Sequence, residues 1–193
     1  GRADIYLDKV EGSTALAGRK RIASSLARGC GFMSYCGHAL PKTLTSYRLW
    51  DLAAVRRFGG EYNPFVLLAT CETFVIDSST PDIGKAMVSK SDGGSIGLIA
   101  SARKVYLDHN RTLSAAVARE YASLQPGDTY GDIMRRARNS LVKAGVEPTE
   151  GANILCYNYG GDPAVPVIAP DVIVSDITLD GKNSDFVFKL FES

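Results

Sequence analysis

The sequence predicts an α/β fold, a mostly parallel sheet with helices on both faces. Three observations carry that prediction. Compact apolar runs at Gly31 to Ala39, Phe65 to Thr73, Ser95 to Ala100 and Ile154 to Tyr159 are bounded by turn-forming residues, as short buried strands are. Between them stand segments whose apolar residues recur at helical spacing. The order strand, helix, strand, helix then repeats along the chain, which argues for parallel strands covered on both faces.

Leu16 to Arg28 sets Ala15, Ile22, Ala23 and Leu26 against Arg19, Lys20, Arg21 and Arg28, an amphipathic helix stopped by Gly29. A strand-like Ile5-Tyr6-Leu7 precedes it. After the first buried run, Pro41 to Tyr47 reads as a polar loop that forms one wall of a cleft. Leu49 to Phe58 is a short helix with Arg56 and Arg57 near its end, broken by Gly59-Gly60. Asn63-Pro64 leads into the second run, Asp77 to Pro81 into a loop and cap, and Ile83 to Lys90 into a helix. Asp108, His109 and Asn110 read as loop. Thr112 to Leu124 and Tyr130 to Ala144 are helices separated by Pro126-Gly127-Asp128, and the fourth strand closes on Gly160-Gly161-Asp162-Pro163. From Val172 strand-like stretches follow one another without helices, with a turn at Asp180-Gly181, so a boundary is drawn near Pro170.

At 193 residues the chain suits one domain, or one and the start of a second. Hydrophobic residues make up 45% and charged residues 22%, and the formal net charge is +1, so no global field draws the protein to nucleic acid or an anionic surface. No apolar run reaches the roughly 18 residues of a membrane span. Four cysteines and two histidines form no zinc pattern, and the scattered acids form no calcium loop, so neither metal nor cofactor is expected. Cys30, Cys36 and Cys156 lie in or beside apolar runs and read as small buried hydrophobes.

Cys71 and His38 differ, because each stands where an apolar strand runs out. Parallel strands lie about 4.8 Å apart, so adjacent ones carry thiol and imidazole together to the carboxyl edge, where open α/β sheets keep their chemistry. A thiol of ordinary pKa needs a basic neighbour to act as thiolate, and an imidazole can afterwards protonate a leaving amine. Backbone N–H groups of Cys71 and of residues beside His38 are candidate donors to an oxyanion, and Gly37 lets a peptide pass closely.

Y-C-G-H-A followed by N-P-F-V-L-L-A-T-C-E-T-F resembles the gingipain-type cysteine peptidases. I-Y-L-D near the start, G-G-S-I-G-L-I-A-S-A-R-K-V-Y and Y-N-Y-G-G-D-P-A-V extend the resemblance, with the sortase of the type IX secretion system the nearer match within the family. The resemblance implies a caspase-like three-layer α/β/α sandwich over residues 1–169, lacking its N-terminal part. Residues 170–193 are then a linker and the first strands of a following immunoglobulin-like domain, or a packed hairpin. It implies His38 and Cys71 as catalytic residues, the N–H groups of Ala39 and Cys71 as oxyanion donors, a polypeptide substrate, other domains of the same parent protein as partners, and the extracellular or outer-membrane surface of a bacterium as location. In some relatives an acid ahead of this segment orients the histidine. The family pattern is Gly-His-Gly; Ala stands at position 39, and it is strained if that turn needs positive φ.

Around the pair the sequence leaves alternatives open. Glu72 faces the cleft, or is a solvated carboxylate or a helix N-terminal charge, and Ser101 and Arg103 line substrate subsites or serve as a cap and a surface charge. Arg135, Arg136 and Arg138 read as a solvated helix face, and His109 as a loop residue. The function expected is a cysteine endopeptidase or transpeptidase; the alternative is a silent relative serving as a binding module.

Overall fold

The structure, a computed structural model, describes residues 12–60 and 62–167. The strand expected at Ile5 to Leu7, the boundary near Pro170 and the β segment beyond it lie outside the described residues.

Helix α1 (Gly12–Ala27) buries Ala15 and Leu26, and Gly29, at φ 91°, donates its N–H to the Leu26 carbonyl as the chain turns out of the helix. Strand β1 (Phe32–Cys36) follows. The segment expected as a polar loop, Pro41 to Tyr47, instead holds β3 (Thr43–Leu44), the middle strand of a small antiparallel sheet with β2 (Ala39–Leu40) before it and β4 (Trp50–Asp51) after it, where the start of a helix was expected. Two-residue strands are too short to show alternation; burial of Leu44, Leu49 and Trp50 holds them in place. Thr45 and Arg48 make the turns with φ 60° and 56°.

The second helix, α2 (Leu52–Arg57), is shorter than expected because Asp51 caps it, its carboxylate accepting from the Ala54 N–H at 2.8 Å. Strand β5 (Phe65–Ala69), helix α3 (Ile83–Val88) and strand β6 (Gly97–Ser101) come next. Helix α4 (Leu107–Ala122) begins earlier than expected and takes in Asp108, His109 and Asn110, which correct to helix from loop. Asp108 in its first turn suits the macrodipole, and the Tyr106 N–H ahead of it is held by the Asn153 side chain at 2.7 Å. Helix α5 (Tyr130–Ala144) falls where its periodicity places it.

Helix α6 (Pro148–Leu155) takes the first part of the stretch expected as a strand, leaving β7 (Tyr157–Gly160). The helix starts with Pro at its first position, where the missing N–H costs nothing.

The main sheet runs β1-β5-β6-β7, with β1, β5 and β6 parallel and β7 antiparallel to β6. The antiparallel end follows from the crossover. Helices α4 and α5 traverse the sheet once each way, and α6 ends beside β7, so the chain enters β7 at the edge where β6 leaves, Ser101 pairing with Tyr157. The central strands are buried on both faces. Val66, Leu68, Leu98 and Ala100 pack with α2, α3 and the small sheet; Phe65, Leu67, Ala69 and Ile99 pack with α4 and α5. Phe65 stacks on Tyr121 and Tyr130 at 5.9 and 5.7 Å between ring centroids, pairs that each contribute about 0.5–1.5 kcal/mol beyond burial.

Helix α5 carries an acid-dependent cap. The Asp132 carboxylate accepts from the Thr129 N–H at 3.0 Å and pairs with Arg135 at 2.6 Å. Arg135 first, and then the Thr129 N–H, hold its carboxyl down to about 2. An unfolded Asp titrates near about 3.9, so this stabilisation is fully present above that value and is lost as pH falls through the folded pKa. Asp132→Asn is expected to lower the melting temperature at neutral pH, with the gap to the native protein closing between about pH 4 and 2. A gap independent of pH would locate the effect elsewhere than in the charge.

The arginines of α5 are not a uniformly solvated face. Arg136 pairs with Asp128, and Arg138, half-buried, donates to the carbonyls of Tyr157 and Ile154. None of Cys30, Cys36 and Cys156 is fully buried. Cys36 is exposed and the others are intermediate, because Cys36 ends β1, Cys156 follows α6 and Cys30 lies in the connection between α1 and β1.

Candidate active site

Cys36 is paired with Ala69 at the end of the β1–β5 ladder. His38 and Cys71 each stand two residues beyond that last pair. The parallel register sets the ends of β1 and β5 side by side at the carboxyl edge, and the loops that carry His38 and Cys71 both start there. His38 is exposed and Cys71 half-buried.

The His38 segment is tied down through its carbonyl, which accepts from the Tyr35 hydroxyl at 2.6 Å and the Thr45 N–H at 3.0 Å. Burial pushes the Tyr35 phenol up to about 12, so it remains a donor at neutral pH. The Thr45 contact flanks the Ala39–Leu44 pair in the manner of a non-hydrogen-bonded pair, which turns the Ala39 N–H away from Leu44. Ala39 is not among the positive-φ residues, so the strain considered for that turn does not arise. Strain falls on Glu72 instead, half-buried at φ 51°.

The Cys71 loop is fastened on both sides. Thr70 closes a tight turn onto Leu68 at 2.9 Å, Glu72 N–H donates to the Arg103 carbonyl at 3.2 Å, and Phe74 N–H to Ser101 at 3.0 Å. On the other side, Gly84 N–H reaches the Thr73 carbonyl at 2.7 Å and Val75 N–H the Asp82 carboxylate at 2.9 Å. The Cys71 Sγ lies against the backbone of Val105, accepting from its N–H at 3.4 Å. The Cys71 N–H has no backbone acceptor among the described residues.

Ser101 is buried, and its hydroxyl is engaged with the backbone of Arg103. Arg103 is exposed and forms a forked pair with Asp77, at 3.0 and 2.5 Å. The Arg103 guanidinium holds the Asp77 carboxyl below the usual carboxylate range. Gly37 lies beside the Tyr35 hydroxyl, which a Cβ there would meet at 2.8 Å. His109 is away from these strand ends in sequence, its ring set edge-on to Tyr106 at 6.2 Å on α4. Among the described residues no cluster of three acidic, histidine or cysteine side chains is placed to hold a metal. No described helix is long and apolar enough to cross a membrane.

The peptidase family C25 model matches residues 2–168. This chain belongs to peptidase family C25. Among the solved structures that share the fold of this C25 chain are two at 16% identity. One is the complex of Porphyromonas gingivalis RgpB pro- and mature domains, with TM-score 0.66 over 77% of this chain and 37% of that one. The other is the Arg-specific cysteine proteinase gingipain R (RgpB), with TM-score 0.62 over 77% and 36%. The caspase-like α/β architecture is thereby shown. The chain spans well under half the length of these solved relatives, and no curated protein matches its sequence.

Sequence reasoning did not single out Tyr35, Val105, Asn110, Asn153 or Tyr157. Asn110, Asn153 and Tyr157 hydrogen-bond through polar atoms buried among apolar neighbours, Tyr35 through a half-buried hydroxyl, and Val105 through its backbone; none of these contacts has a sequence pattern.

Proposed function

We propose that this C25 chain is a cysteine peptidase whose nucleophile is Cys71 and whose acid/base partner is His38. The observation that carries the reading is that β1 and β5 are adjacent and parallel, their last pair Cys36–Ala69 standing two residues before each of the two. In this mechanism the His38 imidazole takes the thiol proton as Sγ attacks the scissile carbonyl. The N–H groups of Cys71 and Ala39 donate to the resulting oxyanion. Collapse releases the amine, which takes its proton from His38, and leaves a thioester on Cys71. Water resolves the acyl-enzyme in a hydrolase; an amine acceptor resolves it in a sortase.

Gly37, Glu72 and Arg103 border the cleft in this reading, and Ser101 serves through the turn it shapes. The sortase reading rests on the sequence segments quoted above, and with it goes a bacterial surface location and a parent protein with further domains.

A labelled thiol electrophile at mildly acidic pH tests the proposal. Burial pushes the Cys30 and Cys36 thiols up, with Arg111 partly opposing this at Cys36, so both are expected to react slowly. Selective modification of Cys71, located by peptide mapping, is the expected result. Equal, slow labelling of all four cysteines would sink the assignment and favour the binding-module alternative.

A further inference from the structure

Beneath the strand ends lies a polar network in an otherwise apolar layer. The carbonyl of Ala69, the last residue of β5, accepts from two donors: the Gly37 N–H at 3.4 Å and the Asn110 Nδ2 at 3.1 Å. Gly37 is the neighbour of His38, and Ala69 stands two residues before Cys71. A single oxygen thus joins both loops to helix α4.

Asn110 is only 2% exposed, and its amide has one satisfied orientation. Its Oδ1 accepts from the Tyr157 hydroxyl at 2.7 Å and from Asn153 Nδ2 at 3.1 Å, which leaves Nδ2 to donate to Ala69. Tyr157 is fully buried, and burial pushes its phenol up, so it stays a donor. Asn153 in turn accepts from the Tyr106 N–H at 2.7 Å. Tyr106 adjoins Val105, whose N–H meets the Cys71 Sγ at 3.4 Å. The network therefore reaches Cys71 from both directions, through the strand that precedes it and through the backbone that cradles its sulfur.

Resting on the proposed Cys71–His38 pair, we infer that Asn110 is the positioning residue that sets their mutual geometry, with Asn153 and Tyr157 fixing its amide. Apolar side chains of similar volume would fill this layer without the cost of burying amides. What they would lack is a directed donor at Ala69. A catalytic pair tolerates about 0.5 Å of displacement, and a misplacement of about 1 Å costs roughly a hundredfold.

The test compares Cys71 labelling in native protein, Asn110→Ala and Tyr157→Phe, at mildly acidic and at alkaline pH, with melting curves recorded in parallel. In Asn110→Ala, labelling at acidic pH is expected to fall about tenfold while the alkaline rate stays near native, since there any accessible thiol ionises. Tyr157→Phe removes one of the two donors to Oδ1 and should show a smaller loss of the same kind. A folded Asn110→Ala with native acidic labelling overturns the inference. If that variant does not fold, Tyr157→Phe decides, and unchanged acidic labelling overturns it. Failure of the underlying pair is visible separately, as absence of Cys71 selectivity in the native protein, and it takes this inference with it.

Discussion

His38→Ala is expected to lower peptide-bond cleavage by about 10²–10⁴-fold, the usual worth of a positioned acid/base group, and to lower Cys71 alkylation by much less. The two effects separate for a physical reason. At about pH 6 a thiol of ordinary pKa is roughly 0.3% thiolate, so a basic partner that ionises it fully multiplies the reactive form about 300-fold. A more stable thiolate is a weaker nucleophile, which takes back a factor of a few tens. The net gain in alkylation is about tenfold. Cleavage needs the imidazole again, as acid to the leaving amine, and loses that step as well. Parallel assays of electrophile labelling and of cleavage of an unfolded protein substrate check the separation. Equal, small losses in both would remove His38 from the acid/base role.

Gly84→Ala should destabilise the fold by about 1–3 kcal/mol and disturb the site with it. A Cβ at Gly84 would lie 2.5 Å from the Thr73 carbonyl oxygen and 2.9 Å from Phe74 Cβ and Leu98 Cδ2. The closest of these is backbone, so no rotamer change relieves it, and α3 must move away from the Cys71 loop. The same helix start holds the other loop, since the Ile83 N–H donates to the Pro41 carbonyl at 2.9 Å. Displacement of α3 thus loosens both sides of the cleft. Thermal melts and Cys71 labelling at acidic pH should fall together. An unchanged melting temperature would show that α3 yields without cost.

Three strands and helix α5 were legible because their patterns are local. Phe65 to Ala69 is apolar throughout, as a strand covered on both faces must be, and α5 repeats its buried Ile133, Met134, Ala137 and Leu141 at helical spacing. The small sheet beside His38 was not legible, because its strands are held by the burial of Leu44 and Trp50 rather than by any alternation of their own. Nor was the reversal of β7. Its direction depends on how many times the chain crosses the sheet before entering it, and the two traverses of α4 and α5 return the chain to the edge where β6 leaves.

By itself the sequence determined the layered α/β class and the family, and set a histidine and a cysteine where two apolar runs end, because apolar periodicity and a residue's distance along a strand are properties of the local chain. Only the tertiary structure decided that the ends of β1 and β5 are adjacent and in register, that α3 and the Ala69 carbonyl each gather both loops, and that the left-handed residue is Glu72 rather than Ala39. Those are facts of pairing between segments far apart in sequence, set by which apolar faces bury one another and which buried donors find acceptors. No single segment carries them.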